Sequence, residues 1–478
     1  MQTLTLTICA ILTCYLVIRV VVDYYAGRHP LISYRNLFLV GLILFQCISA
    51  ILALGFDQQR YQGVTITSAT YARYGIGVVV FTIAFLWFYR SRRAPDAIAR
   101  MIPTRAPSVA TPVVLALLFV SVSIGLASRV SPVQAAVPAA LQGLFLMTGR
   151  GLVCFSIVML VWLWHENRLN PFAWIGCSGL CLILLLSLLQ GEFGRRSLLS
   201  GLLAVGWGMY MFRWQFFSAV RNTPTYAAWA LAVLVVIGAV SAIRTENKED
   251  TSVGTRLTGV TQNLNLSVVL NLMYTDTFDC STYAIERYTH DLSPKPLDST
   301  WYVLSSPIPR VFWPDKPESL ALTLPQVVSI PELQTFSWGP GIMGHAYFEG
   351  SGLFAVYFAF IWGTLFAGFD RRVAQQSSNP YFVAISGAAL GQIAAMARGD
   401  IGFFMVNWIF GTLGPMALVY VFGLFSADRA DVAADAQYAE DAAAASEEEW
   451  MVETPETWYP EAGPASETAV GDQSPLSA

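Results

Sequence analysis

The chain has 478 residues, of which 55% are hydrophobic and only 13% charged. Soluble domains usually carry about a quarter charged residues, so this composition excludes an ordinary water-soluble protein and points to a membrane protein. The formal net charge of −4 conceals two opposite parts. Ser426–Ala478 holds thirteen acidic residues against the single basic Arg429, while the remainder carries 27 basic and 19 acidic residues.

Apolar runs long enough to cross a hydrocarbon core, about 20 residues each, recur along the chain. They lie near 3–22, 36–55, 74–89, 110–128, 146–164, 171–189, 197–213, 226–243, 348–368, 381–397 and 402–424. They predict about eleven transmembrane helices, within a range of ten to twelve. The first run has neither a basic flank nor a small-residue cleavage site, so it reads as an uncleaved helix. The stretch from Val133 to Trp164 is too long for one straight span. It reads as an interfacial helix followed by a crossing, with Gly149-Arg150-Gly151 at the break.

Basic residues in short loops set the orientation. Alternate connections carry Arg28 and Arg35; Arg90, Arg92, Arg93, Arg100 and Arg105; Arg168; Arg213 and Arg221; and Arg371 and Arg372. The opposite short connections hold only Arg60, Arg73, Arg129, Arg195, Arg196 and Arg398. The first set is therefore expected to be cytoplasmic. That places the N-terminus and the large loop outside and the tail inside. The chain then divides into an N-terminal bundle of about eight helices (1–243), a large extracytoplasmic loop (244–344), about three C-terminal helices (345–425) and an acidic tail (426–478). The tail composition cannot bury a core and reads as disordered.

The large loop carries prolines at 307, 309, 314, 317 and 325, a density that excludes continuous helix and favours turn-rich backbone. Its aromatic residues, among them Trp301, Tyr302, Phe312 and Trp313, are sufficient for a small folded domain or a cap on the bundle.

Several polar residues fit a phosphate-bearing or sugar ligand. Arg195 and Arg196 lie in the short outside connection GEFGRRSLL directly before a helix, where the positive-inside rule disfavours them. Two rigid guanidinium forks beside a helix N-terminus suit a phosphate or pyrophosphate; pairing with Glu192 or lipid headgroups is the alternative. Arg398, in ARGDIGFF, occupies another short outside turn and either pairs with Asp400 or faces a shared cavity. Arg150, inside an apolar run, either snorkels outward or lines a polar cavity. Arg310, Trp313 and Lys316 sit together in the proline-rich segment, as a sugar phosphate would require, though spacing alone favours an ordinary surface loop. His345 and Glu349, at i and i+4, share a helix face where the chain re-enters the membrane. They suit a general base or a sugar-hydroxyl ligand, or simply an interfacial polar pair.

The seven cysteines and four histidines form no metal-ligand spacing, so neither a metal nor a cofactor is expected. The sequence holds no phosphate-binding Walker loop, GxSxG elbow or dinucleotide fingerprint. ATP-driven transport within the chain is therefore not expected, and nothing points to nucleic acid.

Pro307 to about Phe425 resembles the oligosaccharide repeat-unit polymerases of bacterial polysaccharide export, including the O-antigen polymerases. IPRVFWPDKP, GPGIMGHAYFEGSGLFAVYF and the arginine-bearing turn ARGD carry the resemblance. GRRSLLSGLLAVG is similar to that family's arginine turn, with Gly206 eleven positions after Arg195. The acidic tail departs from the family pattern.

The resemblance implies a GT-C-like helical bundle in a bacterial inner membrane and a metal-independent glycosyl transfer on its outer face. The partner substrates would be undecaprenyl-pyrophosphate-linked oligosaccharides within membrane lipid, with a flippase and chain-length regulators as further partners. Arg195 and Arg196 would clamp the leaving pyrophosphate, and His345 or Glu349 would act as base. Arg310, Trp313, Lys316 and Arg398 would bind substrate. A glycan ligase, a transporter or flippase of the lipid-linked glycan, and a non-catalytic assembly partner are the alternatives.

Overall fold

Residues 1–56, 65–102, 107, 109–188, 194–214, 222–229, 232, 277–310, 312–328 and 339–426 are described by the computed structural model. Among the described residues every regular element is helical and there is no strand. Among the described residues, six helices are long and apolar enough to cross a membrane. They are α1 (Gln2–Tyr25), α2 (Tyr34–Gly55, with a π-helical stretch over Ile43–Ile48), α3 (Ser68–Arg90), the Leu141–Glu166 part of a helix that starts at Ala139, and near the C-terminus Gly352–Gln375 and Ile401–Leu424. Four shorter apolar helices coincide with other expected spans: Thr111–Ala127, Pro171–Ser187, Ser197–Phe212 and Pro380–Met396. The expected span at 226–243 falls mostly outside the described residues. The chain is a helical membrane protein.

Remaining elements are labelled in order. α4 is Arg93–Met101, α5 Thr111–Ala127, α6 Ser131–Ala136, α7 Ala139–Glu166, α8 Pro171–Ser187 and α9 Gly194–Phe212. The large loop contributes α10 (Thr277–His290), α11 (Asp298–Ser305) and α12 (Leu320–Val328). The C-terminal part holds α13 (Gly341–Glu349), α14 (Gly352–Gln375), α15 (Pro380–Gly387), α16 (Leu390–Met396) and α17 (Ile401–Ser426).

Local chemistry sets the boundaries. Ser33 caps α2, accepting the Asn36 N–H at 3.1 Å, and Asn170 and Asn379 cap α8 and α15, each followed by a proline at the first helical position. One boundary differs from expectation. The break before the fifth span falls at Val137-Pro138, between α6 and α7, and α7 runs unbroken through Gly149-Arg150-Gly151. Pro138 lacks the N–H that would continue α6. The glycines instead allow close crossing: a Cβ on Gly149 would overlap the Ser128 hydroxyl, and one on Gly151 the Gly411 carbonyl. Another boundary shifts from 348 to Gly352, because Gly350 and Ser351 adopt φ of 149° and 151° and end α13. Within the proline-rich segment, residues 306–310 and 312–319 are non-helical as expected, whereas α12 includes Pro325.

The bundle core is aromatic. Phe38, Phe81, Phe85, Trp362 and Phe366 cluster where α2, α3 and α14 meet, with ring centroids 4.8 to 6.4 Å apart. In lipid such packing, close small-residue contacts and interhelical hydrogen bonds replace the hydrophobic effect as the cohesive force. Ser121 and Ser156 share a hydrogen bond of 2.7 Å between α5 and α7, and Trp207 Nε1 donates to the Val383 carbonyl at 2.8 Å.

Polar groups gather at two ends. At one, Asp370 accepts from the Tyr34 N–H (2.8 Å) and the Tyr89 hydroxyl (2.7 Å), Arg35 pairs with Asp23 at 3.0 Å, and Arg371 binds the Ser91 and Arg92 carbonyls and Asp96. These residues come from connections that the charge pattern assigns to one side. At the other end, α10 packs along α13, and α11 and α12 cover the turn between α16 and α17. The described residues of the large loop thus form a helical cap.

Candidate functional site

Beneath that cap lies a cluster of buried polar side chains contributed by α11, α12, α13 and the start of α17. Its geometry begins with Asp400, which caps two helices. Its Oδ1 accepts the Phe403 N–H at 2.8 Å, and its Oδ2 accepts the Ala321 N–H at 2.9 Å and the Ser319 hydroxyl at 2.7 Å. Two helix N-termini thus face one carboxylate, where exposed N–H groups and the helix dipoles favour negative charge.

His345 stands beside it, with Nε2 3.8 Å from Asp400 Oδ2. The same Nε2 accepts the Ile401 N–H at 3.2 Å, and Nδ1 lies 3.0 Å from the Ser299 hydroxyl. That pattern assigns the proton of the neutral ring to Nδ1. Burial pushes the imidazole below its ordinary range, and the Asp400 charge only partly opposes this. With both nitrogens occupied, His345 braces the cap against the bundle.

Glu349 is different. It follows His345 by four residues on α13, and the side chain is fully buried. Its Oε1 accepts the Ser299 N–H at 3.1 Å in the first turn of α11, while Oε2 has no hydrogen-bond partner among the described residues. Burial pushes this carboxyl from 4.5 up to about 7, against the opposing effect of its hydrogen bonds to Ser299. Just before α11, Leu297 holds φ of 62°, a left-handed conformation that a branched side chain rarely adopts. The proper aim of the Ser299 N–H therefore rests on a locally strained turn.

A cleft of about 490 Å³ is lined by Asp298 and Phe348, the chain neighbours of Ser299 and Glu349. Lys295, Arg310 and Lys316 line it together with Asp298, Glu318 and the Phe348 ring. Arg310 pairs with Glu318 at 3.4 Å, and Lys316 donates to the Ile308 carbonyl at 2.9 Å. Burial raises the Asp298 carboxyl, with Lys295 opposing and Asp400 reinforcing that shift. Interleaved donors and acceptors around an aromatic ring suit a polyhydroxyl ligand better than a bare phosphate.

The expected site residues divide accordingly. His345 and Glu349 do share a face, and Arg310 and Lys316 both line the cleft, which neither His345 nor Glu349 lines. Trp313 is 38% exposed and lies outside the cleft lining. Arg398 is half-buried on a turn that is otherwise enclosed: Ala397, Gly399 and Asp400 are buried, and Gln46 Nε2 donates to the Ala397 carbonyl at 2.6 Å. That turn is enclosed because α11, α12 and α13 pack against it. Arg195 and Arg196 occupy the first turn of α9, and their side chains lie outside the described residues. Arg150 does not snorkel outward; it is 7% exposed, with Nη1 3.3 Å from Asn407 Oδ1.

Sequence reasoning missed Ser299, Ser319, Lys295 and Gln46. Gln46 alone left a signal, as an amide in the middle of an apolar run. It lies in the π-helical stretch of α2, a local irregularity often found at functional positions. Among the described residues no group of His, Cys, Asp and Glu has the makings of a metal site.

Fold and site together define a polytopic helical membrane protein with a capped, buried carboxyl–imidazole cluster at one end of its bundle. No protein-family model matches the chain, and neither a curated protein nor a solved structure is significantly similar to it.

Proposed function

We propose that this protein is a polysaccharide polymerase of a bacterial inner membrane, joining undecaprenyl-pyrophosphate-linked oligosaccharide repeat units on the outer face. The observation that supports this reading best is Glu349: a buried carboxyl with one oxygen unpartnered among the described residues, adjacent in the chain to Phe348 in the lining of a cleft rich in cations and carboxylates. The sequence resemblance adds the donor class, and the full count of about eleven spans in a GT-C-like bundle belongs to the same reading.

In the reaction, a hydroxyl oxygen at the non-reducing end of the incoming repeat unit attacks the anomeric carbon of the growing glycan. The new C–O bond forms as the bond from that carbon to the pyrophosphate oxygen breaks, and the electron pair leaves with the lipid pyrophosphate. Glu349 Oε2 accepts the hydroxyl proton; a carboxyl titrating at about 7 is well matched to that task at neutral pH. His345 and Ser299 hold the carboxyl in place. Arg195 and Arg196 stabilise the charge on the leaving pyrophosphate, in the manner of other fixed cations placed where charge develops. Arg310 and Lys316 contact the sugar phosphate end or the glycan hydroxyls in the cleft.

Glycan length in the native host tests this. Glu349→Gln, and separately Arg195→Ala/Arg196→Ala, should each leave glycans at a single repeat unit while protein abundance in the membrane stays normal. Long glycans at normal yield in both variants would remove the proposal.

A transporter of the lipid-linked glycan is the second reading, favoured by the buried Arg150–Asn407 pair inside the bundle. In that case Arg150→Gln, rather than Glu349→Gln, would abolish appearance of single repeat units on the outer face.

A further inference from the structure

The surface between α1 and α3, remote from the capped site, carries a groove of about 630 Å³. Its walls are apolar and turned outward: Ile11, Tyr15, Ile83 and Trp87 line it and are 65%, 46%, 65% and 68% exposed. Along α1 the lining runs from Ile8 to Arg19, a rise of about 16 Å at 1.5 Å per residue. One leaflet of a hydrocarbon core, half of about 30 Å, has the same depth.

Arg19 and Arg90 both line the groove, each near the C-terminal end of its helix. Arg19 Nη1 donates to the Tyr15 hydroxyl at 2.6 Å, which lays the guanidinium along the groove. Acid to neutralise the pair is scarce. Asp23 lies 3.8 Å from Arg19 but is bound more closely, at 3.0 Å, by Arg35. Arg90 forms no ion pair among the described residues. The exposed Trp87 ring stands one turn from Arg90, where an interfacial aromatic is expected.

We propose that this groove is a binding site for one anionic glycerophospholipid. An acyl chain lies along Ile11 and Ile83, and the headgroup phosphate is held between Arg19 and Arg90. Apolar length and charge agree on the occupant. The trough matches one leaflet's chain, and the cationic end sits where the basic loops gather and where anionic lipid is attracted in the cytoplasmic leaflet. Guanidinium groups suit the phosphate because two N–H donors can meet two of its oxygens. The inference is independent of the reaction proposed above.

Thermal unfolding of the full chain in mild detergent tests it, with phosphatidylglycerol, phosphatidylcholine of identical chains, or an isoprenyl phosphate added. Phosphatidylglycerol should stabilise the protein at a concentration at least about tenfold lower than phosphatidylcholine, a difference of about 1.4 kcal/mol. Arg19→Gln/Arg90→Gln should abolish that selectivity, and Arg19→Lys/Arg90→Lys should keep most of it. Equal response of the wild-type protein to the two phospholipids would overturn the proposal. So would unchanged selectivity in the glutamine variant, or preference for the isoprenyl phosphate, which would assign the groove to the glycan carrier instead.

Discussion

Glu286 and Glu349 belong to the packed helices α10 and α13, yet their protons respond to folding in opposite directions. Glu286 Oε2 accepts the Thr67 N–H at 3.1 Å and the Thr67 and Thr70 hydroxyls at 2.9 and 2.5 Å, at the N-terminus of α3. Burial alone would raise this carboxyl; the hydrogen bonds from Thr70 and Thr67 outweigh it and hold it below the ordinary 4.5. Its contribution to stability is therefore present above pH 4.5 and is lost as the pH falls. Glu286→Gln should cost about 1 to 2 kcal/mol at neutral pH and almost nothing in strong acid, measured as unfolding in detergent. Glu349, raised from 4.5 to about 7, binds its proton more tightly in the folded chain. Stability from this group therefore declines as the pH rises through that window. Glu349→Gln should flatten the decline, by an amount on the order of 1 to 3 kcal/mol. An identical pH slope in the variant would mean that water reaches the carboxyl freely.

Helix crossings are set by glycines at named positions. A Cβ on Gly41 would overlap the Ala394 carbonyl oxygen, one on Gly151 the Gly411 carbonyl, and one on Gly391 the Ser200 side chain. Backbone cannot give way as a flexible side-chain tip can, so the helices would have to separate and lose their packing along the crossing. Gly41→Ala and Gly151→Ala should each lower the unfolding temperature by several degrees, about 1 to 3 kcal/mol. Gly176→Ala is the control: nothing lies within 4 Å of the added carbon, and the helix gains propensity. A destabilised Gly176→Ala with unaffected Gly41→Ala would contradict this packing. The glycine pair around Arg150 shows why the crossing was illegible in the sequence. A glycine that breaks a helix and one that admits a neighbour look the same until the neighbour is in place.

At the scale of the molecule, the two polar ends match the alternation of basic loops, and which end is cytoplasmic is a prediction. Lys295→Cys, exposed on the cap, should react with a membrane-impermeant maleimide in intact spheroplasts; Arg168→Cys should react only after permeabilisation. The reverse pattern would invert the orientation and place the capped cluster in the cytoplasm. Amino-acid order by itself determined that this is a helical membrane protein, where most apolar helices lie, and that His345 and Glu349 share a face. Those properties follow from local hydropathy and the 3.6-residue period, which need no partner. Tertiary structure alone decided that Ala397, Gly399 and Asp400 of the ARGD turn are buried, that Ser299 and Ser319 join Asp400 and His345, and that Glu349 keeps one oxygen unpartnered among the described residues. Burial and hydrogen bonding depend on which segments of the cap close over the bundle, and residues some 50 to 80 positions apart carry no mutual signal in the order of the chain.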